Sequence, residues 1–268
     1  MSTYGTLGDF KPFLLLVAQR LKELGNRVVI ATDDVYRTYI ESAGLEFCCA
    51  QRGFLYGTED LQARSLFNIR NSYYDLLAAA HSAALLITHQ VAFAGPLVAG
   101  RIPIPWISVA LTPFTFNSDY FPLRFGHPIS STVYRVCSTQ MKQWSSLGTR
   151  EVQQLRRELG LPPGKKLLFA DHHSPDLILA FFSSVFDIPE LPPQTIVTGF
   201  PFDEPVSGVK LPNELAKFID DGPPPIIFTL GSDGFYDPGT FYRESALAAI
   251  FCGVEPYWWT RQLRVSGY

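Results

Sequence analysis

GTLGDFKPFLLLVAQRLKELGNRVVIATDDVYRTYIESAGLEF, running from Gly5 to Phe47, decides the fold class. Pro12 sits where a helix can begin, because the first turn leaves its N–H groups unpaired and proline has none to lose. Phe13, Leu14, Leu16, Val17, Leu21 and Leu24 follow at helical spacing, and Gly25 closes the helix. Residues 27–31 (RVVIA) form a short β-branched run, the signature of a buried parallel strand. Asp33 or Asp34 caps a second helix over 35–43, Gly44 ends it, and residues 45–48 form a second strand. Helix and strand in alternation, with glycine-punctuated turns, predict an α/β fold built on a doubly wound parallel sheet.

The same alternation continues outward. Residues 69–80 are spaced as a helix, 84–88 (ALLIT) as a strand, 92–100 as a small-residue helix and 104–110 (IPWISVA) as a strand. A long irregular loop holding Pro113, Pro122 and Pro128 follows, and such a loop inside a domain is usually functional. Residues 131–161 read as a helical region, and 177–182 (LILAFF) and 195–198 as strands. Proline, glycine and acidic residues mark 199–224 as a linker. Residues 225–230 (PIIFTL) then open a second unit as a strand, with a helix over 238–251. The expected organisation is a domain over 1–198, a linker over 199–224 and the incomplete start of a second Rossmann-like domain over 225–268. Both ends look cut: only Ser2, Thr3 and Tyr4 precede the first glycine, and the last segment is too short for its own core.

Composition narrows the function classes. The 268 residues are 47% hydrophobic and 18% charged, with a net charge of -3; mean hydropathy is +0.09 and the isoelectric point about 6.0. This is a globular composition, and the absence of a basic stripe argues against nucleic acid as a partner. Cys48, Cys49, Cys137 and Cys252 lack metal-ligand spacing and read as reduced thiols of a cytoplasmic protein. The polar, glycine-rich first residues are no signal peptide. The longest apolar runs, 13–18 and 83–88, are too short to span a bilayer, so no transmembrane segment is expected, with peripheral membrane contact left open.

In a doubly wound sheet, ligands sit beyond the carboxyl ends of the strands. The loops to inspect are therefore 2–9, 32–36, 88–94 and 110–117. Asp9 ends a Gly5-Thr6-Leu7-Gly8 turn, whose glycines permit close backbone approach. Asp9 is either a functional carboxylate or merely the cap of the helix ahead of Pro12. His89 ends a strand on the ligand side. Phe114, Phe116, Tyr120 and Phe121 either line an apolar pocket or pack their own loop. His172-His173 has no third ligand at a sensible spacing and reads as part of a solvated interdomain loop. No Ser-His-Asp order and no H-E-x-x-H motif is present.

Three segments resemble one known family. The quoted opening is similar to a G-x-x-G-D-x-x-P start followed by helix, strand and helix. VAFAGPLVAGRIPIPWISVALTPFTF (91–116) is similar to an acceptor-side strand-helix-strand unit. SPDLILAFFSS, PPQTIVTGFPFDE and PPPIIFTLGS resemble the passage into a donor domain. The family is that of GT-B fold UDP-glycosyltransferases, sterol or lipid glucosyltransferase-like and antibiotic glycosyltransferase-like, with a family-28-type N-terminal domain. The resemblance implies transfer of a hexose from a nucleotide sugar to a hydroxyl of a lipid, sterol or small apolar molecule. Nucleotide sugar and apolar acceptor would be substrates, and no cofactor or bound metal is implied. By resemblance Asp9 is the catalytic base or orienting carboxylate; Gly5, Thr6, His89, Phe93, Thr112, Phe114 and Phe116 belong to the acceptor side; Gly8, Gly231 and Ser232 contact the donor diphosphate. The chain departs from the family in lacking its H-x-G-x-x-G-T-x-x-E donor segment, and residues 251–268 do not match it. The alternative is therefore an inactive, truncated paralogue or a frame-shifted fragment that keeps only an acceptor- or partner-binding domain.

Overall fold

The computed structural model describes residues 1–5, 7–51, 69–116, 150–164, 167, 171–186, 191–201, 212–221, 226–230 and 239–253, without the side chains of 14–16, 51, 114 and 186. Among these, β1 (Val29–Asp33) pairs in parallel with β2 (Glu46–Gln51). β3 (Leu86–His89), β4 (Trp106–Ala110), β5 (Leu177–Ala180) and β6 (Thr195–Val197) form a parallel set in that order. Residues 1–3 weld the two sets. Ser2 bridges Ala31 on one side and Thr88 on the other. The Ala31 N–H donates to Met1 O, Ser2 N–H to Ile87 O, and His89 N–H to Ser2 O, at 2.7, 2.8 and 2.9 Å. The sheet therefore runs β2, β1, residues 1–3, β3, β4, β5, β6. The three residues that looked like the stub of a first strand are an interior strand of the sheet.

Two layers of helix cover this sheet, as strand alternation requires. Ile30 faces a cluster with Phe10, Tyr36, Ile40 and Leu45, while neighbouring Ala31 faces the opposite cluster. That opposite cluster holds Tyr73 and Leu76 of α4 (Ile69–Ala80), Leu97 and Val98 of α5 (Ala94–Arg101), and Val152 and Leu155 of α6 (150–158). Asp33 caps the turn after β1 by accepting from the Val35 N–H at 3.0 Å, which leads into α3 (Arg37–Ser42).

Helix and sheet approach closely at Gly95 of α5. A Cβ there would stand 2.6 Å from Thr88 Cγ2 and 3.1 Å from Thr88 Oγ1. That hydroxyl is already committed, accepting from buried Trp106 Nε1 at 2.8 Å. Gly95→Ala is therefore expected to destabilise the domain by about 1–3 kcal/mol through overpacking, read as a lowered urea midpoint at unchanged slope.

Several expected boundaries move. The first helix starts a turn before Pro12: α1 (Leu7–Pro12) passes through a π-helical stretch, Phe13–Ala18, into α2 (Gln19–Glu23). A wider turn beside Pro12 relieves the clash that an interior proline makes with the carbonyl four residues back. Within the stretch read as linker, α7 (Asn213–Asp220) is helical. Residues 226–230, read as a strand, are neither helix nor ladder, and Ile227 is 82% exposed. The β-branched run alone could not make a strand without a neighbour to pair with. The chain divides into two compact units, Met1–Pro205 and Val206–Tyr268, and the second carries α8 (Phe241–Phe251). Among the described residues no helix is long and apolar enough to cross a membrane.

Candidate active site

The strand order creates the site. Residues 1–3 lie inside the sheet; from them the chain winds outward through β1 and β2, then returns to start β3 on the other side. The loops leaving residues 1–3 and β3 therefore diverge, the arrangement at whose carboxyl ends doubly wound sheets bind ligands. Asp9 belongs to the first loop-helix and His89 to the second.

Asp9 lies in the first turn of α1, not at its cap. Its carboxylate is one-third exposed, and its Oδ1 lies 3.8 Å from Nε2 of the fully buried His89 side chain. The Nδ1 of His89 lies 3.2 Å from the Tyr4 carbonyl oxygen. A carbonyl can only accept, so Nδ1 carries the proton and Nε2 presents its lone pair toward Asp9. No hydrogen-bond partner meets that Nε2. Burial drives the His89 pKa down to about 4; the Asp9 carboxylate and the Tyr4 carbonyl oppose this without overcoming it. Near neutral pH the imidazole is uncharged.

The surroundings fix both partners. Phe13, first residue of the π-helical stretch, stands edge-on to His89 with ring centroids 5.6 Å apart. Tyr36 stacks on Phe10 at 4.1 Å and its hydroxyl donates to Gly5 O at 2.9 Å. Gly5 has φ +115°, and a Cβ there would collide with the Asp9 carboxylate, so glycine is the residue that lets this turn form beside Asp9. Tyr4, whose carbonyl orients His89, is held by its hydroxyl donating to Ala50 O at 3.1 Å. The loop after β4 is tied to the loop after β3 where the Leu111 N–H donates to Gln90 Oε1 at 2.8 Å.

A second cluster lies at the same end of the sheet. Phe93, four residues past His89, meets His172 edge-on at 6.1 Å, and His172 lies 4.1 Å from His173. Phe116 stacks on His173 at 4.6 Å with 13° between the planes. His172 and His173 are only 3% and 7% exposed. The reading of this pair as a solvated loop is thus wrong. The segment leading into β5 turns inward because Ser174 is anchored in the sheet: its Oγ donates to Trp106 O at 2.6 Å and its N–H to Ser108 Oγ at 2.9 Å. Burial lowers His172 to about 4 and, with the neighbouring His172 ring, His173 to about 3. His172 Nε2 lacks a hydrogen-bond partner, at a cost of about 1–3 kcal/mol for such a buried orphan, whereas the Thr115 backbone hydrogen-bonds the His173 ring and opposes the fall in its pKa. Among the described residues, no group of three or more His, Cys, Asp or Glu is arranged to hold a metal ion.

Of the other expected site residues, Gly8 lies exposed in the first turn of α1. Thr112 precedes the short turn Pro113–Thr115 and its carbonyl accepts from Thr115 Oγ1 at 3.2 Å. Thr6, Gly231, Ser232, Tyr120, Phe121 and the Phe114 side chain fall outside the described residues.

The described residues thus form a doubly wound domain with a carboxylate and an imidazole at its switch point. No protein-family model matches the chain. It is 29% identical over 265 residues to an O-mycaminosyltylonolide 6-deoxyallosyltransferase of Streptomyces fradiae, covering 86% of this chain and 60% of that relative. It is 26% identical over 270 residues to a sterol 3-beta-glucosyltransferase of Arabidopsis thaliana, covering 89% of this chain and 41% of that relative. Among solved structures, the glycotransferase of kitacinnamycin superposes with TM-score 0.55 at 16% identity, over 80% of this chain and 54% of that one. The chain has the fold of GT-B glycosyltransferases, and the curated proteins it is similar to are sterol glucosyltransferases and antibiotic glycosyltransferases. It spans 60% and 41% of the two curated relatives' lengths.

Proposed function

We propose that this chain supplies the acceptor side of hexosyl transfer from a nucleotide sugar of the UDP type to a hydroxyl of a lipid, sterol or other apolar molecule. The observation that carries this reading is the pair Asp9–His89, 3.8 Å apart with two proton acceptors facing each other. An acceptor hydroxyl donates to Asp9. As its oxygen bonds to the anomeric carbon, the bond to the leaving nucleoside diphosphate breaks with its electron pair, and the proton passes to Asp9. The new carboxylic acid then donates to the waiting Nε2 of His89. A neutral His89 is essential to this step, because an imidazolium would hold the carboxylate charged and weaken it as a base. Burial keeps His89 neutral. No bound cofactor is proposed, the nucleotide sugar being a substrate.

Gly8 would face the donor diphosphate; Phe93, Thr112 and Phe116 would face the acceptor. The test incubates the 268-residue protein with radiolabelled UDP-glucose and a panel of sterol and macrolide aglycones, while acceptor binding is followed by tryptophan fluorescence. Transfer with saturable binding supports the reading. Saturable binding without transfer would assign the chain an acceptor-binding role alone. Absence of both overturns the proposal.

A further inference from the structure

The uncharged His89 ring carries a single proton, and two groups compete for it. Tyr4 O stands 3.2 Å from Nδ1 on one side, and Asp9 Oδ1 stands 3.8 Å from Nε2 on the other. The outcome matters to the base. With the proton on Nδ1, the ring donates nothing to Asp9. With the proton on Nε2, the ring would donate to Asp9, and such a bond to a carboxylate lowers its pKa and weakens it as a base. A charged carboxylate normally draws an N–H more strongly than a neutral carbonyl does. The observed arrangement is therefore imposed by the way Tyr4 O is held.

The hold runs through Gly5. The Tyr4 carbonyl belongs to the peptide before the Gly5 Cα, and the Gly5 carbonyl to the peptide after it. Glycine at φ +115° has no Cβ to restrict either plane, so both are fixed by partners elsewhere. The first is anchored from β2, where Ala50 O accepts from the Tyr4 hydroxyl at 3.1 Å. The second is anchored by Tyr36, whose hydroxyl donates to Gly5 O at 2.9 Å across 31 residues of chain. Tyr36 is itself well fixed: buried, stacked on Phe10, and placed by the Asp33-capped turn after β1. The Asp9 carboxylate lies against the same Gly5, where a Cβ would collide with it. One loosened peptide would thus displace both members of the pair. Resting on the acceptor-side function above, we infer that Tyr36 is a positioning residue for the base: by holding the Gly5 carbonyl, its hydroxyl keeps the His89 N–H on Tyr4 and away from Asp9.

Tyr36→Phe keeps the ring that stacks on Phe10 and removes the hydroxyl. Long-range 1H–15N spectra of the His89 ring read which nitrogen carries the proton. In the wild-type protein that nitrogen is expected to be Nδ1. In Tyr36→Phe the proton is expected to move mainly to Nε2, and kcat for sugar transfer to fall about 10-fold with the acceptor KM unchanged. Ile178→Val controls for general loosening, because that fully buried side chain of β5 packs in a separate cluster. It is expected to lower the urea midpoint and leave the His89 spectrum as it is. A wild-type ring protonated on Nε2, an unchanged spectrum in Tyr36→Phe, or the same change in Ile178→Val overturns this inference and leaves the acceptor role standing. So does an unchanged kcat beside a changed spectrum. Absence of both transfer and acceptor binding in the wild-type protein overturns the acceptor role, and the spectra then still decide whether Tyr36 sets the tautomer.

Discussion

Asp9→Asn is expected to lower sugar transfer by about 10²–10⁴-fold, the usual contribution of a positioned general base, with acceptor affinity nearly unchanged. The substitution keeps the shape of the side chain and removes its basicity. It also places an amide beside His89 Nε2, so the proposed route from hydroxyl to carboxylate to imidazole is broken at its first station. A second readout does not depend on turnover. The Asp9 carboxylate raises the His89 pKa against the larger effect of burial, so in Asp9→Asn the imidazole should titrate still lower. Proton-resolved NMR of the His89 ring measures this directly. An unchanged titration would mean that the two groups do not communicate, and an unchanged kcat would remove Asp9 from the mechanism.

The second large effect is on stability. His89, His172 and His173 are held neutral, at about 4, 4 and 3, against an ordinary 6.5. Asp9 near His89 and Asp171 near His172 pull the other way and are outweighed by burial. Below pH 6.5 the unfolded chain takes up protons that the folded chain refuses. The unfolded state then binds more protons, and stability falls with falling pH. By pH 5 each histidine has cost about 2 kcal/mol, roughly 6 kcal/mol for the three, a large part of a typical domain's total. Urea midpoints are therefore expected to drop steeply between pH 6.5 and pH 5, with full stability above pH 7. A midpoint flat across that window would show that these imidazoles are hydrated.

Much of the sheet is legible in the sequence because local patterns and tertiary context agree there. The run from Gly5 to Phe47 announces its alternation through β-branched clusters and glycine punctuation, and β1, β2 and α3 fall within a few residues of expectation. Asp9 and His89 are legible for a related reason: each follows a strand, and parallel winding must bring those ends together. The histidine pair at 172–173 is illegible because no local pattern betrays burial. Its inward turn depends on Ser174 reaching Trp106 and Ser108, more than 60 residues away in sequence. Pro12 misleads for a different reason. A proline at the start of a helix and one beside a π-helical turn look alike in sequence, and only the packing of Phe10 and Phe13 under the sheet distinguishes them. Residues 226–230 fail in the opposite sense, since strand propensity needs a partner edge and the described residues provide none.

The welding of the sheet by residues 1–3 ties the chemistry to local fluctuation. The His89 N–H is held by Ser2 O, and the His89 ring by Tyr4 O, both within the first four residues. A strand of three residues is held by few backbone hydrogen bonds and is among the parts of a sheet that open locally first. Each excursion of this short strand releases the imidazole from its tautomer-setting carbonyl and opens the seam between β1 and β3 in the same event. Amide exchange at His89 and Ala31 should therefore proceed at one shared rate, set by the detachment of the first residues and faster than exchange in β4. The equilibrium constant of that opening sets the fraction of time for which the Asp9–His89 pair is assembled.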